Sequence, residues 1–280
     1  MQPGIPGFFL VPKLRLCLSR TPFMQFCHAP ADQSIIETDP AFFANRTQDT
    51  DGISRLGPMK QTPIHDRFNP EVLAIMPKNL SRVVEVGCSS GALAKAYLEQ
   101  TPACEYIGIE LDPGYAEVAR ASCTRVLVGD IEEMDERTFS SLFPANCWVF
   151  ADVLEHLYDP WAVLRRLRGS LSPGASVVAC IPNAQHWSFQ ARLNCGILRY
   201  EDEGLFDRTH IRWFTKTTIG ELFQSSGFRI IEGCERVFEE PFRDGVLAGI
   251  KALAEATGAD VQQAVHNAKP LQWVVRATPA

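Results

Sequence analysis

The stretch "VVEVGCSSGALAKAY", residues 83–97, decides how the rest of the chain is read. It begins as an apolar strand, breaks at a bend with Gly87 and Gly91, and continues as a helix. The strand, "RVVEVG" over 82–87, is apolar on both faces, as a central parallel strand should be. The glycines are spaced G-x-x-x-G. A dinucleotide fingerprint needs G-x-G-x-x-G, and a P-loop needs Lys-Ser or Lys-Thr after the last glycine. Neither is present, so the bend alone does not name its ligand.

Working outward, strand and helix alternate along the chain. "EYIGIE" (105–110), "TRVLVG" (124–129), "CWVFAD" (147–152) and "ASVVACIP" (175–182) read as further strands. Helices are expected in "HDRFNPEVLAIMP", from Gly91 to Gln100, in "PGYAEVARAS", in "DPWAVLRRLRGSL" capped by Asp159, and in "TKTTIGELFQSSGF" capped by Thr215. "RIIEGCERVF" and "LQWVVRAT" add two strands around a helical stretch at 243–267. Five or more alternations argue for an α/β fold with an open, mostly parallel sheet covered on both faces. Ligands of such sheets bind beyond the carboxyl ends of the strands, near the topological switch point.

Carboxylates occupy those strand ends. Glu85 lies inside the first strand among Val83, Val84 and Val86, where a charge needs donors from a ligand ammonium or a backbone N–H. Glu110 ends the second strand, placed to accept both hydroxyls of a ribose. Asp130 and Ile131 follow the third strand and can face an adenine edge. Any one acid at a strand end is commonplace. Three on successive strands beside a glycine bend form a constellation.

Here the sequence resembles the class I S-adenosylmethionine-dependent methyltransferases. The resemblance covers roughly 62–278 and rests on "VVEVGCSSGALA", "YIGIELD", "VGDIEE", "VFADVLEHLYDP" and "LSPGASVVACIPN", in that order. It implies a Rossmann-like, doubly wound, seven-stranded sheet whose last strand is antiparallel and sits beside the sixth. It also implies S-adenosyl-L-methionine as cofactor. Gly87, Cys88, Ser89 and Gly91 would approach the methionine part, and Glu85 would hold that loop or orient the amino group. Glu110 with Leu111 would bind the ribose, Asp130 and Ile131 the adenine, and Asp152 and Val153 would lie along the methionine. The family's usual third glycine is replaced here by Ser89, so a slightly shifted backbone is expected.

The methyl of a sulfonium is already activated, so alignment, exclusion of water and removal of a proton are what remain. No carboxylate or His cluster is visible in the sequence, and no metal is expected. The candidate bases are His156, His186 and His210. For His156, in "LEHLYDP", a helix-entry contact and a chemical role are both open. His186 in "PNAQHW" and His210 in "FDRTHIRWF" fall outside expected regular elements, which favours a cleft. The excursion 183–214 is long enough to act as a lid. It mixes Trp187, Phe189, Tyr200, Phe206 and Trp213 with four arginines, and either packs on the core or faces a sugar or flat acceptor. Its wording also resembles a bacterial subgroup encoded beside glycosyltransferases, which points to sugar hydroxyls by association only.

The resulting expectation is methyl transfer to a small-molecule or glycan hydroxyl. Alternatives are a non-catalytic regulatory or scaffold protein that binds the cofactor, and an N-methyltransferase. A dehydrogenase is disfavoured by the missing glycine. Nucleic acid is not expected, because the net charge is −6 and no Pro-Pro-aromatic triplet follows the fourth strand. The nine cysteines include no C-x-x-C pair, which reads as reduced thiols of a cytoplasmic protein. No apolar run is long enough to span a membrane. Residues 1–31 hold five prolines, three basic residues and no acid. That composition fits an organelle-targeting segment, a tail or an over-long start. The domain organisation is thus a tail over 1–60 and a catalytic domain over 61–280, with a lid-like insertion at 183–214 and a helical insertion at 239–268. The latter carries Val246, Leu247, Ile250, Leu253 and Ala254 at helical spacing, suited to packing on the domain or to a homodimer surface.

Overall fold

A computed structural model describes residues 62–280, and the expected tail at 1–60 lies outside the described residues, as does residue 61. Seven strands form one sheet: β1 (Arg82–Val86), β2 (Glu105–Glu110), β3 (Arg125–Val128), β4 (Cys147–Ala151), β5 (Ser176–Pro182), β6 (Phe228–Arg236) and β7 (Gln272–Pro279). Their order is β3-β2-β1-β4-β5-β7-β6. The first five run parallel, while β7 lies antiparallel between β5 and β6. The seven-stranded sheet with an antiparallel last strand is as expected. Strand order reverses between β1 and β4, so the loops following these two strands part and leave a crevice.

Nine helices are described: α1 (Pro70–Ile75), α2 (Ala92–Gln100), α3 (Pro113–Ala119), α4 (Glu136–Ser140), α5 (Pro160–Ser170), α6 (Trp187–Asn194), α7 (Lys216–Ser225), α8 (Arg243–Thr257) and α9 (Val261–Asn267). Side chains start them where the sequence offers caps. Asp112 caps α3 and Asp159 caps α5, each with a proline in the first turn, and Thr215 forms a capping box with Thr218 on α7. Val84, Trp148 and Phe150 point into one core with α5 and α7, whereas Val83, Tyr106 and Val149 point into the other with α1 to α3. That period-two division of strand side chains is what buries both faces of the sheet.

Four local expectations change. The first helix covers only Pro70–Ile75, because Pro70 pushes Asn69 into extended backbone and Asn69 then caps it. The short α4 was not anticipated; Asp135 caps it and Phe139 anchors it. The excursion 183–214 contains α6, whose start has no side-chain cap and whose buried side is Trp187, too little to give a periodic signal. The stretch 243–267 splits into α8 and α9, since Gly258 takes a left-handed turn and Asp260 caps α9. Leu247 and Ile250 bury with Trp187, whereas Leu253 faces solvent.

Among the described residues no helix is long and apolar enough to cross a membrane, and all seven cysteines are free thiols.

Candidate active site

The bend after β1 is held by backbone geometry. Gly87, Ser89 and Gly91 all take positive φ, at +70°, +48° and +78°. A Cβ on Gly87 would lie 2.7 Å from Cγ2 of Val153, and one on Gly91 would lie 2.9 Å from Cβ of Ser122. Glycine is therefore needed at both. Ser89 carries the left-handed conformation without being glycine, and its N–H donates to Oε2 of Glu110 at 2.8 Å. The amides of Gly87 and Cys88 both donate to the carbonyl of Ile109, at 2.8 and 3.2 Å, which ties the bend to β2. Replacing Gly87 with alanine combines a strained φ with a clash. Thermal unfolding is expected to show a loss of ~1–3 kcal/mol, and an unchanged midpoint would refute the strain argument.

Glu110 is buried at the tip of β2. Besides the Ser89 amide on Oε2 it accepts the Asp112 amide on Oε1 at 3.0 Å. Glu85 is also buried, and its Oε2 accepts the Tyr106 hydroxyl at 3.0 Å. The donor expected from a ligand or the backbone thus comes in part from the neighbouring strand. Burial pushes the Glu85 carboxyl well above the usual range, with Cys123 and Glu110 adding to this and the Tyr106 bond opposing it.

After β3, Asp130 accepts the Glu132 amide at 2.8 Å, and Ile131 is buried beside it. After β4, Asp152 takes φ +57°. It accepts the Cys180 thiol at 3.5 Å and the Gln272 side-chain amide. Burial raises it to about 6, against hydrogen bonds and the nearby Arg236.

One cavity of about 1040 Å³ joins these strand tips. Glu85, Gly87, Cys88, Ser89, Glu110, Leu111, Asp130, Ile131, Asp152 and Val153 all line it. Gly91 is absent from its wall and instead turns the chain into α2 as the residue before the first helical position.

His156, in the turn after β4, and His210, on the 203–211 segment, line the same cavity. Their rings meet edge to face, centroids 4.7 Å apart. Burial lowers the His156 imidazole, and it pushes that of His210 down to about 4, with His156 adding. Asp207 braces this corner. Its Oδ1 accepts the Thr209 hydroxyl at 2.6 Å and amide at 2.8 Å, and its Oδ2 accepts the Thr62 hydroxyl at 2.7 Å. Burial works against that carboxylate, but these bonds outweigh it and hold it below the usual range.

His186 is placed elsewhere. It precedes α6 and is 1% exposed, with Nδ1 2.8 Å from Oγ of Ser188 and Nε2 3.3 Å from Glu240. It lies off the cavity wall, because Trp187 beside it packs against α8 and holds this turn away from the strand tips. His186→Gln is accordingly expected to leave turnover within about twofold; a tenfold loss would return His186 to the site.

The expectation of no ligand cluster also changes. Glu155 and His156 lie far from His210 in the chain, yet the fold gathers all three, and each offers a ligand atom within 4.8 Å of the others. Arg236 and Gln272, on the cavity wall, were not foreseen either. They come from the edges of β6 and β7, where no motif marks them.

A family model described as a methyltransferase domain matches residues 46–232. The chain belongs to that methyltransferase family, within class I of the S-adenosylmethionine-dependent enzymes. Its curated relatives include proteins named ubiquinone biosynthesis O-methyltransferase. The one from Xanthomonas axonopodis pv. citri is 28% identical over 147 residues, 49% of this chain and 56% of the relative. That from Xanthomonas campestris pv. campestris (strain B100) is 29% identical over the same shares. The match thus spans about half of either relative. Among solved structures, a mitomycin 7-O-methyltransferase superposes with a TM-score of 0.50 at 17% identity, over 75% of this chain and 52% of that one. A Haloferax volcanii complex of a methyltransferase activator with a methyltransferase gives 0.50 at 16%, over 75% and 88%. These likenesses concern the fold.

The methyltransferase's cofactor is S-adenosylmethionine, and the cavity suits it. Gly87 lines the cavity without a side chain, and the buried Glu110 carboxylate faces it from the neighbouring strand tip. The volume lies at the top of the range for sites of single small molecules, which leaves space for a second one.

Proposed function

We propose that this methyltransferase moves the methyl group of S-adenosylmethionine to a hydroxyl of a small molecule or sugar. The observation that carries the reading is the single cavity linking the bend and Glu110 to His156 and His210. Bound cofactor would supply a methyl group activated by the positive sulfur. The chain's part is to bind, align and deprotonate the acceptor.

In this reading the bend and Glu85 hold the methionine end, Glu110 and Leu111 the ribose, and Asp130 with Ile131 the adenine. Asp152 and Val153 flank the path to the acceptor. His156 and His210, kept neutral by burial, receive the hydroxyl, and the 203–211 part of the excursion covers it as a lid. The names of the curated relatives support oxygen as the accepting atom.

Calorimetry with S-adenosylmethionine and its demethylated product tests the first half, and failure of both to bind would refute the reading. A mass-spectrometric screen of phenols, nucleotide sugars and glycan fragments for a 14-dalton gain tests the second. Gain only on amines would refute the hydroxyl assignment.

A further inference from the structure

Behind the acceptor side of the cavity, three groups that only accept hydrogen bonds face one another. Glu155, in the turn after β4, is 1% exposed, and neither of its carboxylate oxygens has a hydrogen-bond partner. Its Oε1 lies 3.9 Å from Nε2 of His210, too far for a hydrogen bond. The neighbours of each ring fix its tautomer. Nδ1 of His210 lies 3.2 Å from the Leu205 carbonyl. A carbonyl cannot donate, so Nδ1 carries the hydrogen and Nε2 the lone pair. Nδ1 of His156 lies 3.1 Å from the Thr209 carbonyl and 3.0 Å from its hydroxyl. That hydroxyl gives its proton to Asp207 at 2.6 Å, so Nδ1 of His156 is a donor as well.

Two lone pairs and a buried carboxylate without donors lack a cation. A proton on Glu155 would neutralise its charge, but with the nearest ring nitrogen 3.9 Å away it would still leave the oxygens and that nitrogen unbonded, whereas one cation would satisfy all three groups. We propose that Glu155, His156 and His210 bind one divalent transition-metal ion of the zinc class. Two imidazoles and one carboxylate form a donor set that zinc takes where a fourth position stays open, and it is too rich in nitrogen for magnesium or calcium. Each ring gives its other N–H to a main-chain carbonyl, the arrangement that orients metal-binding imidazoles. Zinc bonds of ~2.1 Å put tetrahedral neighbours ~3.4 Å apart, so the 3.9 Å Glu155–His210 separation closes by about half an ångström and the other pairs, within 4.8 Å, by at most about 1.4 Å. Both histidines line the cavity, which turns the fourth position toward the acceptor. There the ion would lower the pKa of a hydroxyl. That role rests on the proposed methyl transfer; binding of the ion does not.

The test uses untagged full-length protein, stripped with chelator and dialysed against zinc chloride or cobalt chloride. Elemental analysis is expected to find one equivalent of zinc. Cobalt is expected to give visible d–d bands without a thiolate charge-transfer band. Glu155→Gln, checked for folding by circular dichroism, is expected to bind zinc at least tenfold more weakly. No retained metal in the wild-type protein, a thiolate band, or equal affinity in the variant would each overturn the proposal. Cofactor calorimetry on the stripped protein tests the methyltransferase reading separately, so the two can fail independently.

Discussion

Replacing Glu110 with alanine is expected to weaken S-adenosylmethionine binding at least a hundredfold, with the sheet intact. The carboxylate does two jobs at one strand tip. Its oxygens hold the amides of Ser89 and Asp112, and in the proposed pose the same oxygens accept ribose hydroxyls. Hydrogen bonds to a charged group contribute about 1.5–3 kcal/mol each, so losing two ribose bonds exceeds the ~2.7 kcal/mol that a hundredfold change in Kd represents. Glu110→Gln separates the jobs. Its amide oxygen can still take the Ser89 N–H, but its NH2 cannot accept from a hydroxyl, so calorimetry should find most of the loss in this variant too. A Kd within threefold of wild type in both variants would remove Glu110 from the cofactor site. Full affinity in the glutamine variant alone would reduce Glu110 to a loop anchor.

Glu110 was legible from sequence because its position is set by the strand that carries it. A carboxylate at the end of an apolar run must emerge at the rim of the sheet, whatever the rest of the fold does. The same holds for Asp130 and Asp152, and for the bend, whose glycines announce a backbone that side chains would block. What was not legible depends on pairing across elements. Tyr106 meets Glu85 because β1 and β2 pair in parallel register, which one strand cannot reveal. Arg236 and Gln272 are register partners on antiparallel strands, and their reach to Asp152 follows from β7 inserting between β5 and β6. His186 and His210 looked alike as loop residues. Their neighbours separate them: Trp187 holds His186 against α8, while the 203–211 turn lays His210 over His156. The conjunction of Glu155 with His210 arises from that same turn, since the amides of Ile211 and Arg212 both donate to the Glu155 carbonyl.

Changing His210 to alanine is expected to cut turnover about a hundredfold or more while leaving cofactor affinity within about twofold. The ring lines the cavity from the 203–211 segment, not from the bend or the strand tips that carry the residues assigned to the cofactor, and its Nδ1 is engaged by the Leu205 carbonyl. Its loss should therefore be felt by the acceptor. The size follows from what a positioned proton acceptor contributes, about 10²–10⁴-fold, and a ring that instead holds an ion activating the hydroxyl supplies an effect of the same kind. The pH profile tells these apart. Burial holds the His210 imidazole down at about 4, so a free base of that character would keep kcat flat from neutral pH down to about 5. An ion displaced by protonation of its ligands would instead give a fall that added zinc reverses. The assay needs the acceptor found by the mass screen, with single-turnover rates measured at saturating cofactor. Unchanged turnover in His210→Ala would take this ring out of the chemistry and leave its packing against His156 and Trp213 as a structural contact.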